Sequence, residues 1–405
     1  MWCKLDNLAF YKKGPFGSSL TKSMFIPDNG DAYKVYEQKN AIQKDSNLGH
    51  YFISGEKFQE LKGFEVLPND IIVSCAGTIG ETYIMPSDIR SGIINQALMI
   101  IRLHNIDITP FYLLYFDFIL KNEAGKDGKG TAIKNIPPFD ILKNYWIPLP
   151  PLAEQDRIIK EVALWQRLID SIDGNIEDIF KLSKKTKSKI LDLAISGKLV
   201  PQDPNDEPAI ELLKRINPAF KPCDNSHYEN LPENWCLAKV KDVFVINPRN
   251  KAEDNTIAGF IPMTLIDDGY SNTFSYEKRK WGSIKTGFTH FADGDVAVAK
   301  ISPCLENRKS IVLRDLPNGI GAGTTELHVF RSSVVVPEYA LYFFKSEYFI
   351  SKCVGTFNGV VGQQRVGKNI IEEIQIPIPP IDEQTKIVST IETIFTQLNT
   401  ITAEL

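Results

Sequence analysis

Residues 147–155 read IPLPPLAEQ, and residues 376–384 repeat the phrase as IPIPPIDEQ. The offset between the two copies is 229 residues (376 minus 147). Solenoid repeats recur every 20 to 50 residues or so, roughly a fifth of this distance or less. A helical pattern follows each copy of the phrase. The repeat therefore indicates that a whole domain, together with the helix behind it, is duplicated in this chain.

Other segments match in the same order, with small shifts of register. GIINQALMIIR at 92–102 aligns with GAGTTELHVFR at 321–331, and NDIIV at 69–73 aligns with GDVAV at 294–298. Trp2-Cys3 corresponds to Trp235-Cys236. Insertions between matched segments are typical of surface loops. We therefore expect two domains with one scaffold and different loops.

Composition gives an ordinary globular chain of 405 residues, with 43% hydrophobic and 24% charged residues. The six cysteines include no C-x-x-C pair, which argues against a disulfide framework and a zinc ribbon and favours a cytoplasmic protein. The apolar run 111–120 contains Asp117 and is too short to span a bilayer, so we expect no membrane partner. With a net charge of −4, nucleic-acid binding requires that basic residues gather on one face.

The chain divides by pattern into two α+β domains and two helical segments. Short apolar runs bounded by Gly, Pro and Asn predict strands, and the Pro-rich phrase blocks a helix and forms a rigid elbow. The predicted parts are a first domain at 1–150, a long central helix at 151–200, a linker at 201–230, a second domain at 231–380 and a C-terminal helix at 381–405.

Each helical segment carries apolar residues at alternating spacings of four and three. This heptad seam is formed by Ile158, Val162, Trp165, Ile169 and Ile172 in the first segment, and by Ile387, Ile391, Ile394 and Leu398 in the second. Such a seam is typical of an intermolecular coiled coil or a bundle helix. Because both seams are in matched register behind copies of one domain, we favour an intramolecular antiparallel pair and a pseudo-two-fold molecule. The second seam stops at Leu405, the equivalent of Ile176, so about half of the first helix has no counterpart.

Catalytic alternatives rest on weaker patterns. Asp28, Glu37 and Lys39 have the residue types of a metal-dependent nuclease, and Asn135-Ile-Pro-Pro-Phe is close to the adenine-gripping loop of amino-methyltransferases but is interrupted by Ile136. The glycines at 319–323 precede a predicted strand, whereas a phosphate loop precedes a helix. The five histidines show no metal-ligand spacing. An enzyme with its own nuclease or methyltransferase site therefore remains the second hypothesis.

Basic and amide side chains recur in predicted loops, some of them beside glycine. Arg pairs with guanine and Asn or Gln with adenine in the major groove, while Lys contacts phosphates; the alternative is that each cluster is a solvated loop. The candidate DNA-binding residues are Lys12, Lys13, Lys129, Lys134, Arg249, Asn250, Lys251, Lys278, Arg279, Arg308, Lys309, Gln363, Gln364 and Arg365.

Several stretches together resemble the DNA-specificity subunit of type I restriction-modification systems. They are the repeated elbow with its Glu-Gln, KILDLAISGKLVPQDPNDEPA at 189–209, LPENW at 231–235 and GDVAVAKISPCLEN at 294–307. The resemblance covers nearly the whole chain, and the stretch 189–209 is its most specific part. It does not supply DNA-contacting residues one by one, because the recognition domains of the family differ where they touch bases.

The resemblance implies two target recognition domains, each reading one half of a split, asymmetric site in double-stranded DNA. The long helices would serve as spacer and as docking surface for two modification (methyltransferase) subunits, and restriction subunits would join for cleavage. S-adenosylmethionine, ATP and Mg²⁺ are then expected on those partners, with no cofactor and no catalytic residue in this chain.

Overall fold

Helices and strands alternate along both halves of the chain in the computed structural model, which describes residues 1–75, 78–126, 136–224, 231–356 and 364–405. The chain divides into two units, Met1–Ile172 and Asp173–Leu405, and a 44-residue helix runs through the boundary. The predicted fold class, two mixed α/β domains with a long helix between them, is confirmed.

The first domain contains short strands and short helices that precede the long helix. Its strands are β1 (Trp2–Lys4), β2 (Ala9–Lys13), β3 (Tyr33–Tyr36), β4 (Phe52–Ile53), β5 (Ile71–Ser74), β6 (Thr82–Ile84), β7 (Gly92–Ile94), β8 (Leu98–Leu103) and β9 (Trp146–Pro148). Its helices are α1 (Gln38–Gln43), α2 (Gly55–Glu60), α3 (Thr109–Lys126) and α4 (Phe139–Leu142), followed by α5 (Leu152–Ile195). Short 3-10 turns lie at Leu5–Asn7, Gly17–Ser19, Lys22–Met24, Lys62–Phe64 and Ile106–Ile108.

The strands of the first domain form three small sheets. One sheet has the order β2-β8-β5-β6 and is antiparallel; a second has the order β4-β3-β7, with β3 and β7 parallel; β1 pairs with β9. On β5, Ile71 and Val73 belong to one apolar cluster and Ile72 to another. Because alternate side chains point to opposite faces, this strand is buried on both sides, which explains its unbroken apolar run.

The second domain also consists of short strands and short helices. Its strands are β10 (Cys236–Lys239), β11 (Val245–Ile246), β12 (Ile257–Ile261), β13 (Glu277–Lys280), β14 (Thr289–Ala292), β15 (Val296–Ala299), β16 (Ser310–Val312), β17 (Ile320–Gly323), β18 (Leu327–Arg331) and β19 (Gln375–Ile378). Its helices are α6 (Ala209–Ile216), α7 (Val240–Val243), α8 (Trp281–Ile284), α9 (Pro337–Lys345), α10 (Glu347–Val354), α11 (Lys368–Glu373) and α12 (Ile381–Ala403), with 3-10 turns at Met263–Leu265 and Pro317–Gly319.

Sheet topology is repeated strand for strand. The order β11-β18-β15-β16 corresponds to β2-β8-β5-β6, and β13-β12-β17 corresponds to β4-β3-β7, again with its second pair parallel. The pair β10 and β19 corresponds to β1 and β9. Beside β17 the second domain has the four-residue strand β14, where the first domain, within the described ranges, has a single antiparallel bridge from Glu65 to Ile93 of β7.

One hydrogen-bonded cluster recurs at the matched positions Asp70 and Asp295. Arg102 donates from Nε and Nη2 to Asp70 at 2.6 and 2.7 Å, and Arg331 binds Asp295 in the same way at 2.7 and 2.8 Å. Both carboxylates are 1% exposed, and each also accepts a backbone N–H. A shared polar cluster inside a shared topology confirms the duplication at the level of side chains.

Helix α12 packs antiparallel to the C-terminal part of α5, within the second unit. Lys187 Nζ donates to Asn399 Oδ1 at 2.5 Å, while Gln202, just beyond the end of α5, donates to Glu383 at the start of α12 at 2.7 Å. Ile190, Leu191, Ala194 and Ile195 share one core cluster with Ile387, Val388, Ile391 and Phe395. Ile394 and Leu398 pack on the edge of this cluster.

The first half of the predicted seam lies in a different environment. Ile158 packs against the core of the first domain, but Val162, Trp165, Ile169 and Ile172 are 39%, 58%, 49% and 58% exposed. This differs from the predicted mutual burial of the two seams. The physical reason is that the apolar face of α12 is already covered inside the second unit.

The elbow of the second domain is fixed by buried polar side chains. Glu383 accepts hydrogen bonds from Trp235 Nε1 at 2.9 Å and from Gln202, and burial raises the pKa of its carboxyl. Gln384 Oε1 accepts from the backbone N–H of Val336 at 2.7 Å. The repeated Glu-Gln therefore ties strand β19 and helix α12 to the domain. Among the described residues, no helix is both long and apolar enough to cross a membrane.

Candidate nucleic-acid interface

A cleft of about 350 Å³ opens in the second domain where several strands end. We call it the strand-end cleft. It is lined by Asn247, Pro248, Arg249, Gly287, Phe288, Thr289, His290, Lys300, Thr325 and Leu327. No Asp or Glu lines it, so its charged side chains are basic.

The sheet topology brings these side chains together. Arg249 follows the end of β11, and Lys300 directly follows β15, which is two strands away in the same sheet. Thr325 lies in the turn between β17 and β18, and the backbone N–H of Lys300 donates to the carbonyl of Glu326 in that turn at 2.9 Å. Residues from distant parts of the sequence therefore converge because their strands end at one edge.

His290 is a structural part of the wall. Its Nδ1 accepts a hydrogen bond from the backbone N–H of Asn250 at 3.2 Å, so its Nε2 carries the proton that faces the carbonyl of Lys285 at 2.9 Å. Burial lowers the pKa of this imidazole, and the nearby Arg249 lowers it further. The ring is therefore neutral, and it packs edge-on against Trp281 with centroids 4.7 Å apart.

The amide side chains at this edge are already engaged. Asn247 Oδ1 accepts from the backbone N–H of Val329 at 2.9 Å. Asn250 donates to the carbonyl of Phe291 at 2.6 Å and accepts from Arg331 at 3.1 Å. Asn250, predicted from the sequence to read a base, is thus a structural link between β14, β18 and the loop after β11.

The two basic side chains of the cleft, in contrast to the amides, are not engaged by short contacts. Arg249 has only long contacts, 3.5 Å to the carbonyl of Phe288 and 3.4 Å to His290. Within the described residues, neither Arg249 nor Lys300 has a carboxylate at ion-pair distance. Glu326 accepts two hydrogen bonds of 2.8 Å from Arg365, which are the main cause of the lowered pKa of its carboxyl, and Lys300 contributes electrostatically to that lowering.

The matching edge of the first domain also carries cations. Arg102 faces Phe10 across the sheet and Arg331 faces Val245, so Lys12 occupies the place of Asn247 and Lys13 that of Pro248. Lys12 lies over the ring of Phe64 at 4.8 Å, and Lys13 is exposed. Lys13 acts electrostatically on Cys75, the counterpart of Lys300, although burial is the larger effect and raises the pKa of that thiol to about 11.

Other predicted reading residues lie away from the cleft or hold structure. Lys309 donates to the carbonyl of Ile266 at 2.7 Å, and Arg308 binds the carbonyl of Lys345 at 3.0 Å and Glu347 at 2.7 Å. Arg279 pairs with its neighbour Glu277 and stacks on Phe260. Arg308 and Arg279, predicted to read bases, and Lys309, predicted to contact phosphate, thus each have polar groups that are used inside the domain.

The remaining predicted residues divide into two groups. Lys251 and Lys278 are exposed. Gln364 is half-buried, and its backbone carbonyl accepts a hydrogen bond from the backbone N–H of Ser302 at 2.8 Å. Lys129, Lys134 and Gln363 lie outside the described residues.

In the nuclease alternative, the predicted metal-binding residue Asp28 is engaged in an ion pair. Both carboxylate oxygens of Asp28 accept from Arg90 at 2.7 Å, and this hydrogen bonding lowers the pKa of Asp28 to about 2. Glu37 pairs with Lys39 at 3.0 Å. No group of His, Cys, Asp and Glu suited to a metal ion occurs in the part of the chain that the structure describes. Asn135, from the methyltransferase-like loop, lies outside the described residues.

Sequence reasoning missed Lys300, Thr289 and Thr325. Lys300 could have been found, because it is the first charged residue after a fully buried strand, and such a position places a side chain at the sheet edge. The two threonines give no such signal, since Thr is common in strands and turns.

Comparison with known proteins finds a family profile that matches both halves of this architecture. The sequence profile described as "Type I restriction modification DNA specificity domain" matches residues 29–179 and again residues 232–405. The two matches coincide with the two copies of the duplicated scaffold, and together they cover most of the chain.

Two curated proteins are similar in sequence to part of this chain. The EcoEI specificity subunit of Escherichia coli is 40% identical over 265 residues, which are 59% of this chain and 44% of that protein. The EcoAI specificity subunit of Escherichia coli is 41% identical over 51% of this chain and 38% of its own length. The chain thus spans less than half the length of these relatives.

The fold agrees with a crystal structure of the HsdS subunit from Thermoanaerobacter tengcongensis. The TM-score is 0.53 at 16% identity, covering 100% of this chain and 91% of that one. With its doubled profile match and its doubled scaffold, this chain belongs to the family of type I restriction-modification DNA specificity domains.

Proposed function

We propose that this chain is the DNA-reading subunit of a type I restriction-modification complex, with one domain for each half of a bipartite, asymmetric DNA site. The observation that carries the proposal is a duplicated scaffold with non-identical strand-end edges. Equivalent edges place both readers in the same relation to their own domain, while Lys12 and Lys13 in one and Arg249 and Lys300 in the other give each edge its own chemistry.

The reaction itself is assigned to partners. Two modification subunits would methylate adenine with S-adenosylmethionine, and restriction subunits would cleave DNA with ATP and Mg²⁺. Support comes from α5, whose exposed Val162, Trp165, Ile169 and Ile172 form an apolar stripe in the first unit. A stripe of this kind suits a protein partner better than water. The chain would therefore be non-catalytic and would position enzymes borrowed from other subunits.

The separation of catalysis from recognition can be tested with purified components. Duplex DNA from a host that lacks the system is incubated with S-adenosylmethionine and this chain, the modification subunit, or both. We expect adenine methylation only in the combined reaction, at one bipartite sequence. Methylation by the chain alone would overturn the proposal and would favour the enzyme hypothesis.

A further inference from the structure

We propose that the strand-end cleft binds one phosphate group of the DNA backbone through Arg249 and Lys300. The proposal rests on the proposed function and deepens it, because it assigns one part of the second domain to affinity and leaves base choice to other parts.

The charges of the cleft point to an anion. Arg249 and Lys300 come from different strands of one sheet and line the same space, and neither is neutralised by a carboxylate among the described residues. The carboxylate of Glu326, on which Lys300 acts electrostatically, is engaged by two nitrogens of Arg365. Two cations without a counterion on one wall form a place that a phosphate oxygen fills.

The neutral groups of the cleft favour phosphate over a base edge. Among neutral side chains, the amides of Asn and Gln are the usual readers of a base edge. Here the amides of Asn247 and Asn250 form hydrogen bonds with the protein backbone and with Arg331. The hydroxyls of Thr289 and Thr325 remain, and hydroxyls are frequent donors to phosphate oxygens.

The first domain repeats the arrangement with different residues. Lys300 is replaced by Cys75, but Lys13, at the end of β2, is close enough to Cys75 to act on its titration. Positive charge is therefore retained at the same edge, supplied by β2, the counterpart of the strand that Arg249 follows, although the basic residue itself differs. Retention of charge without retention of the residue is what a sequence-independent contact requires.

The test measures how binding depends on salt. The double variant Arg249→Gln/Lys300→Gln, in complex with modification subunits, is titrated with duplexes that the wild-type complex selects from a randomised library. A plot of the logarithm of the DNA association constant against the logarithm of the salt concentration has a negative slope. Loss of one phosphate contact should make this slope shallower by about 0.9. The selected sequences should not change, because phosphate contacts carry no base information.

Two matched variants complete the experiment. Arg249→Lys/Lys300→Arg keeps both charges and should keep the slope. Arg314→Gln/Lys352→Gln removes two charges from outside the cleft and should also leave it unchanged. Thermal unfolding of each variant checks that the fold is intact.

The outcomes separate the two proposals. An unchanged slope in a folded Arg249→Gln/Lys300→Gln variant that selects the same duplexes overturns the phosphate site and leaves the proposed function standing. A changed base preference in one half-site also overturns it, because the cleft would then read a base. Absence of any sequence selection by the wild-type complex would overturn the proposed function itself.

Discussion

Two buried carboxylates, Asp70 and Asp295, occupy the same position in the two domains, and each is held by an arginine through two hydrogen bonds. Hydrogen bonding to Asp295 raises the pKa of Arg331, so this guanidinium is charged at all ordinary pH values. Removing one partner of a buried ion pair leaves the other as an uncompensated charge.

Replacing Arg331 with Ala should therefore destabilise the second domain by about 3 kcal/mol. Unfolding in urea, followed by circular dichroism, measures the change. Arg314→Ala is the matched control, since Arg314 is largely exposed and pairs with Glu338 at the surface, where such a pair contributes about 1 kcal/mol or less. Equal effects of the two substitutions would contradict the assigned role of the Asp295 cluster.

The buried Lys345 predicts the direction in which the free energy of unfolding changes with pH. Its side chain is fully buried and donates to the carbonyls of Gly269 and Arg308 at 2.7 and 2.8 Å. Burial, together with a smaller effect of Arg308 and against an opposing effect of Asp268, lowers the pKa of Lys345 to about 7. Between about pH 7 and the pKa of an unfolded lysine near 10.4, the unfolded chain binds more protons than the folded chain.

Stability should therefore rise with pH across this window, by up to about 1.4 kcal/mol per pH unit from this group alone. The measurement compares urea unfolding of the wild type and of Lys345→Met from pH 6 to pH 10. The variant should lose the rise. An equal rise in both proteins would show that Lys345 stays charged in the folded state. The exposed Lys352→Met serves as control for loss of a lysine.

Single residues show where prediction from sequence stops. The position of Arg249 at a strand end follows from turn residues beside an apolar run, and it was predicted as a candidate. That Asn250, two residues from the strand-end proline, would turn inward to Phe291 could not be predicted, because it depends on β14, which lies 41 residues further along the chain at Phe291.

At the scale of elements, α5 and α12 share one heptad pattern but not one environment. The register of the pattern was predictable, because a spacing of four and three follows from 3.6 residues per turn. Which half of α5 is covered was not. Coverage depends on the way the second domain places Ile190 and Ile195 against Ile387 and Ile391.

A pair of isoleucines separates the two environments. Ile391 is fully buried, so Ile391→Ala should destabilise the protein by about 2 to 5 kcal/mol. Ile172 is 58% exposed, and Ile172→Ala should change stability by less than about 0.5 kcal/mol. Urea unfolding measures both.

The same pair also tests partner docking. Ile172→Ala, which spares the fold, should weaken capture of the modification subunit in a pull-down if the apolar stripe on α5 is its contact. Undiminished capture by Ile172→Ala and by Trp165→Ala would remove that stripe from the interface. Equal stability losses at Ile172 and Ile391 would contradict the described packing.

At the scale of the whole molecule, α5 is proposed to act as a ruler for the two half-sites. Four residues inserted after Gly174, where the helix is exposed and an added side chain would meet no neighbour, lengthen it by about 6 Å. The tolerated gap between half-sites should then grow by about one or two base pairs, at 3.4 Å each. Selection from a randomised duplex library reads out gap and half-sites together.

The half-site sequences should survive this insertion, because neither strand-end edge is touched. A library result in which the gap is fixed and the bases change would contradict the ruler. A four-residue insertion into the linker near Asn205 is the control, since it lengthens the chain without lengthening α5, and it should leave the gap unaltered.

The central claim is that this chain, and no other subunit, chooses the DNA sequence, and that it does so in two separate halves. Mapping of methylated adenines across the genome of a host, with and without this chain, tests it most directly. We predict that one motif, made of two unlike half-sites around a gap of fixed length and indifferent sequence, is methylated with the chain and unmethylated without it. A motif that survives deletion, or a lost motif that is continuous, would contradict the account.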